Sequence, residues 1–148
     1  MENRRPIQKI KMANTNDFTW AWWANKQSAS DTDDRSIMIG NRYGNTGVEN
    51  LEFIKMTPSK AAFSNTNDAN QVEDYVYASL PTDQWHHYAM VKSGTSYQWY
   101  VDGVAQGSPV TINYNETSPI PFFIGGDGDN KPNEYFEGFI DDVVLHNR

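Results

Sequence analysis

The sequence contains no cysteine. That removes disulfide cross-links, thiolate catalysis and Cys-ligated zinc together, and leaves packing and hydrogen bonding to hold the fold. Nor does it contain an apolar run of the length that spans a bilayer. Residues 1–17 include basic side chains but no continuous apolar region after them, so they read as neither a secretion signal nor an anchor. Basic charge is in deficit: 12 Lys plus Arg stand against 19 Asp plus Glu, a formal charge of -7. Such a surface repels phosphate backbones and anionic lipid, which speaks against nucleic acid and membrane as partners. Leucine is confined to Leu51, Leu80 and Leu145, and no stretch has an amphipathic helical period of useful length. What is plentiful is aromatic: 14% of the chain, with five Trp and eight Tyr. That balance favours strands over helices. At 148 residues the chain has the size of one domain, expected to span residues 1–148.

Strand-like runs recur along the chain, separated by clusters of Asn, Asp, Ser, Gly and Pro, the spacing of an all-β sandwich or barrel. The expected strands are Phe18 to Ala24, Ile37 to Gly40, Leu51 to Met56, Ala61 to Phe63, Tyr75 to Ala78, Trp85 to Lys92, Ser96 to Val101, Pro121 to Ile124 and Phe136 to His146. Long polar loops are expected over 27–35 and 64–73, where side-chain hydrogen bonds favour turns. Asp102-Gly103 has the left-handed preference of a tight hairpin, so Val104 onward should return antiparallel to the strand before it. In the run Trp85 to Val91 both alternating faces are bulky, as in a central strand covered on one side by a second sheet and on the other by a lined cleft. Trp85 and Val101 are expected in the core.

Three segments together resemble the laminin-G-like branch of the concanavalin A-like superfamily. The first is Asp17-Phe18-Thr19-Trp20-Ala21-Trp22-Trp23-Ala24-Asn25-Lys26. The second is Gln84-Trp85-His86-His87-Tyr88-Ala89-Met90-Val91-Lys92, followed after a Gly94 turn by Tyr97-Gln98-Trp99-Tyr100-Val101-Asp102-Gly103-Val104. The third is Phe123-Ile124-Gly125-Gly126, a loop, and then Phe136-Glu137-Gly138-Phe139-Ile140-Asp141-Asp142-Val143-Val144-Leu145-His146-Asn147. Their order and spacing cover residues 17–147. The resemblance implies an antiparallel two-sheet jelly-roll sandwich. Only the short stretch Pro6 to Met12 is available for the strand that usually precedes the Phe-Thr strand, and relatives usually continue past the last motif. Either the edge pairing is abbreviated or a neighbouring chain completes it.

Laminarinase-like hydrolases of this superfold carry two Glu flanking an Asp at alternating strand positions. A retaining mechanism needs two carboxyl groups about 5 Å apart. Here Glu73-Asp74 and Asp141-Asp142 are adjacent pairs, and neighbours on a regular strand face opposite ways. The chain is therefore expected not to be an enzyme. His86 and His87 are adjacent too, and cannot both ligate one metal from a regular strand. His87 matches the family's histidine after Trp and reads as a packed, hydrogen-bonded strand residue.

For a metal, the resemblance points to a structural Ca²⁺ at Asp141. The loop Gly126-Asp127-Gly128-Asp129-Asn130 offers further oxygens through Asp127 and Asp129, towards the six to eight that calcium takes. The alternative is that Asp141 accepts backbone amides in a turn and the loop is merely solvated. Strict alternation would put Phe139, Asp141 and Val143 on one face and Ile140, Asp142 and Val144 on the other. One aspartate would then share a face with apolar neighbours, a costly place for a bare carboxylate.

The aromatics complete the inventory. Phe18, Trp20 and Trp22 share one face, Thr19, Ala21 and Trp23 the other, so Trp22 and Trp23 cannot both be core. An aromatic at a cleft offers its ring to the C–H face of a sugar, while amides and carboxylates bond the hydroxyls. The candidates are Trp23, Tyr43, Tyr75, Tyr77, Trp99 and Tyr114. The leading expectation is a non-catalytic, lectin-like carbohydrate-binding domain with a polysaccharide or glycan partner, at an extracellular, cell-surface or virion-surface location. The second is a structural or interaction module of a virion, appendage or extracellular assembly, using the same sandwich to bind protein or a second copy of itself.

Overall fold

In the strand β1 (Phe18–Lys26), Phe18, Trp20, Trp22, Ala24 and Lys26 are buried and the residues between them are more open. This period of two is the signature of a strand with one face on a core. The computed structural model describes residues 17–27, 37–41, 51–56, 60–66, 72–78, 82–113, 122–126 and 135–147. The other strands are β2 (Ile37–Gly40), β3 (Leu51–Met56), β4 (Lys60–Thr66), β5 (Val72–Ala78), β6 (His86–Ser93), β7 (Ser96–Val101), β8 (Val104–Thr111), β9 (Phe123–Ile124) and β10 (Gly138–Asn147). They form two five-stranded sheets, β10-β1-β6-β7-β8 and β5-β4-β3-β2-β9, with every pairing antiparallel. Among the described residues there is no helix.

All nine expected strands form, and the return strand after Asp102-Gly103 becomes β8. The boundaries move where polar residues continue a ladder: β4 runs on to Thr66 and β5 starts at Val72, shortening the loop expected over 64–73. The hairpin turn has positive φ at both Asp102 (50°) and Gly103 (78°). Those are the signs of a type I′ turn, whose twist matches the flanking strands. Pro6 to Met12 and most of the loop over 27–35 lie outside the described residues.

The core lies between the sheets. Met38 and Ile39 of β2 join Phe18, Trp20, Trp22, Tyr88, Met90, Tyr97, Trp99 and Val101 from the first sheet. Rings dominate it: Phe18 stacks on Trp20 at 4.7 Å, and Trp22 stacks on Tyr88 at 5.9 Å while meeting Trp99 edge-on at 6.0 Å. Rings of this size compensate for the scarcity of leucine, each burying a large apolar area. Val101 is in the core as expected. Trp85 is not: it precedes β6 and is 46% exposed. Tyr88 and Met90 take the inward positions of that strand, which puts Trp85, His87, Ala89 and Val91 on the outward parity.

The segment after β9 ties the second sheet to the last strand. Gly125 N–H donates to the Met38 carbonyl and Phe136 N–H to the Gly125 carbonyl. Gly138 then opens β10 against Asn25, where any Cβ would overlap the Asn25 carbonyl oxygen. Only glycine permits so close a backbone approach at this position.

Strict alternation along β10 fails, and the reason is a bulge. Ala21 pairs with Val144 and Trp23 with Asp141, so Asp142 and Val143 together oppose Trp22. One extra residue in the strand resets the parity. Asp142 takes it up with a left-handed φ of 46°, which aspartate tolerates better than most residues. Ile140, Val143 and Leu145 consequently pack against the core, while Phe139, Asp141, Asp142 and Val144 are exposed. Neither aspartate shares the apolar face.

Candidate functional site

The outward face near the β1–β10 and β1–β6 pairings gathers three exposed aromatics, Trp23, Trp85 and Phe139. Trp23 lies between Asp141 of β10 and His87 of β6 in cross-strand register. Its ring is 40% exposed and meets the His87 imidazole edge-on at 5.5 Å. Trp85 lies on the same side, 6.3 Å from the ring of Phe139, itself an exposed residue. Trp23, Trp85, Asp141 and Asp142 line an open hollow of about 290 Å³. The bulge brings both aspartates to its lining, although neighbours on a regular strand would diverge. Asp141 Oδ1 accepts the Asp142 N–H at 2.8 Å and so braces the bulge itself.

The strand start that presents His87 and Trp85 is held from behind. His86 Nδ1 donates to Asp102 Oδ2 at 2.7 Å, the His87 N–H donates to Asp102 Oδ1 at 2.9 Å, and the Asp102 N–H donates to the His87 carbonyl at 2.8 Å. The hairpin turn is thereby clamped to β6 by one carboxylate. Its pKa is lowered below the usual aspartate range, first by the hydrogen bond from His86 and next by the backbone N–H of His87. On the other side of Trp85, the Asp83 N–H donates to the Lys26 carbonyl at 2.7 Å, anchoring the approach to the ring.

The structure sorts the residues expected at a binding site. Trp23 is at the hollow. Trp99 is fully buried at 0% exposure, edge-on to Trp22, and has no ring face to offer a ligand; β7 turns it inward with Tyr97 and Val101. Tyr75 and Tyr77 belong to β5, in the other sheet, and pair with Phe63 and Ala61. Tyr43, Tyr114, Asp127 and Asp129 lie outside the described residues. Among the described residues no three His, Asp or Glu side chains come together as a metal-ligating group, and Asp141 takes the amide-accepting role at a backbone irregularity.

Trp85, Phe139 and Asp142 were not expected here. Parity alone placed Trp85 on the face of His87, and assigning Tyr88 and Met90 to the core would have exposed it. Asp142 was concealed by the bulge, for which β10 has no glycine at that point.

Comparison with known proteins gives a consistent picture of the frame. A family model described as the concanavalin A-like lectin/glucanases superfamily matches residues 6–148. No curated protein matches the chain in sequence. The fold is similar to domains LG4-5 of the mouse laminin alpha1 chain (TM-score 0.66, 14% identity, 96% of this chain and 39% of that one). It is similar also to the binding domain of Paraclostridial Mosquitocidal Protein 1 (TM-score 0.67, 14% identity, 95% and 36%). A third similar structure is domain 4 of AbnA, an extracellular arabinanase from Geobacillus stearothermophilus, in complex with arabinotriose (TM-score 0.59, 17% identity, 89% and 61%). The chain thus spans less than two thirds of each of these structures.

Proposed function

The chain belongs to the concanavalin A-like lectin/glucanase superfamily, in its laminin-G-like branch, and from that premise we propose that it is a non-catalytic carbohydrate-binding domain acting outside the cell or on a cell or virion surface. The observation that carries this reading is the pair of exposed tryptophans, Trp23 and Trp85, at one hollow with the carboxylates of Asp141 and Asp142. Large exposed rings are costly to leave in water unless a ligand covers them. A pyranose or furanose presents a C–H face that stacks on indole, and hydroxyls that carboxylates accept from. The similar arabinanase domain, which binds arabinotriose, supports the same reading by analogy of fold.

A glycan array with the wild-type chain and the Trp23→Ala and Trp85→Ala variants tests this. Binding to one or more oligosaccharides, lost in both variants, is expected. An array without any binder, together with capture of a protein or self-association through the same face, would replace it by the interaction-module reading.

A structural calcium ion at Asp141 is a separate element of the proposal. The described residues bring two carboxylates together there, fewer than the six to eight oxygens calcium takes, so the rest would come from the loop bearing Asp127 and Asp129. If it binds, a chelator lowers the melting temperature by mass action, and Asp141→Asn weakens that dependence. Superimposable melting curves with calcium and with chelator would remove the ion.

A further inference from the structure

The outward face of the β10-β1-β6-β7-β8 sheet carries one sign of charge. Its lysines, Lys26 and Lys92, are both turned inward and buried, with their ammonium groups 5.7 Å from the ring centre of Phe136 and 5.9 Å from that of Phe18. No arginine occurs on these five strands. The full charges that face outward from these strands are therefore the carboxylates of Asp141 and Asp142 at the bulge. The bulge concentrates this charge, because it holds two consecutive aspartates on the same hollow as two indole faces. Two like charges on neighbouring residues repel, and a cation between them relieves that repulsion. An indole face also attracts a cation through its ring quadrupole.

We propose that the hollow selects a sugar bearing a protonated amine, a 2-amino-2-deoxy residue of an amino-sugar polymer. The C–H face of the ring rests on Trp23 or Trp85 and the ammonium lies against Asp141 and Asp142. This deepens the carbohydrate-binding reading and rests on it. The same charge disfavours sulfated and uronic acid polymers, whose anions would approach two carboxylates with no lysine or arginine of this sheet to receive them.

The test compares a fully deacetylated glucosamine oligomer with its N-acetylated twin of equal length, by titration calorimetry on the whole chain. Chelator is present, so that no divalent cation occupies the carboxylates. The titrations run at about pH 6, above the ordinary carboxylate range and below that of an amine. The charged oligomer is expected to bind about three- to tenfold more tightly at low salt, the size that two partly exposed ion pairs support. That preference shrinks when salt is raised, because exposed charges are screened.

In the double variant Asp141→Asn, Asp142→Asn the ratio of the two affinities falls to near one. Asn keeps an oxygen for the Asp142 amide and tolerates the left-handed φ, so the bulge survives the loss of charge. Equal affinities in the wild type, or tighter binding of the acetylated oligomer, would overturn the amino-sugar proposal while leaving carbohydrate binding in place. If neither oligomer binds, both fall; if a lysine-containing peptide binds instead with the same dependence on the two aspartates, the occupant is a protein.

Discussion

Trp22 and Trp23 are neighbours with opposite surroundings, and the difference is measurable at the residue scale. Trp22 is fully buried between Tyr88 and Trp99, so Trp22→Ala is expected to cost about 3 to 5 kcal/mol in urea unfolding. Trp23→Ala and Trp85→Ala remove half-exposed rings, and are expected to shift the melting temperature by a few degrees at most while abolishing sugar binding. A large loss of stability in either would mean that the ring serves packing. A second prediction concerns Asp102, whose folded-state pKa is depressed by His86 and the His87 amide. A depressed carboxyl contributes stability that is fully present above its unfolded value, about 3.9, and is lost as pH falls through the folded value. Asp102→Asn should therefore melt lower than the wild type near neutral pH, with the two curves converging in acid. A gap that stays constant with pH would show that the clamp owes nothing to charge. Period-two patterning made the Trp22/Trp23 division legible in advance. The same patterning was ambiguous at Trp85, because both faces of that run are bulky and neither is marked as the interior.

At the scale of elements, β10 shows how one backbone irregularity decides where chemistry faces. The bulge at Asp142 keeps Ile140, Val143 and Leu145 on the core and puts Asp141 and Asp142 on the hollow. Its left-handed φ predicts a specific order of tolerance. Asp142→Gly should be close to neutral in urea unfolding, whereas the β-branched Asp142→Val should cost about 1 to 3 kcal/mol. Equal effects would mean that the bulge relaxes when the side chain changes. The hairpin at Asp102-Gly103 was legible because that dipeptide has a strong local preference. The bulge was not, since an aspartate pair within an apolar strand reads equally well as regular alternation. What selects the bulge is the demand of three apolar residues to reach one core.

For the whole molecule, β1 is paired on both edges, by β10 and β6, and supplies Phe18, Trp20 and Trp22 to the core. β8 lies at a sheet edge and is mostly exposed. Native-state hydrogen exchange is therefore expected to find the slowest amides in β1 and β6, opening only with global unfolding, and much faster ones in β8. Protection in β8 equal to that in β1 would imply that the edge is covered by another chain.

The sequence by itself determined the class of the molecule. Alternating aromatics, the Asp-Gly turn and three spaced motifs are local or near-local signals, and each strand needs only its own residues to be written in them. The tertiary structure alone decided which aromatics stand open on the surface. Trp99 and Trp85 differ little as local patterns, yet one is enclosed by Trp22 and the other stands open beside Phe139. That choice depends on which face the second sheet covers and on the register in which β10 pairs with β1. Both are set by contacts between residues more than a hundred positions apart, such as Trp23 with Asp141, which no local period records.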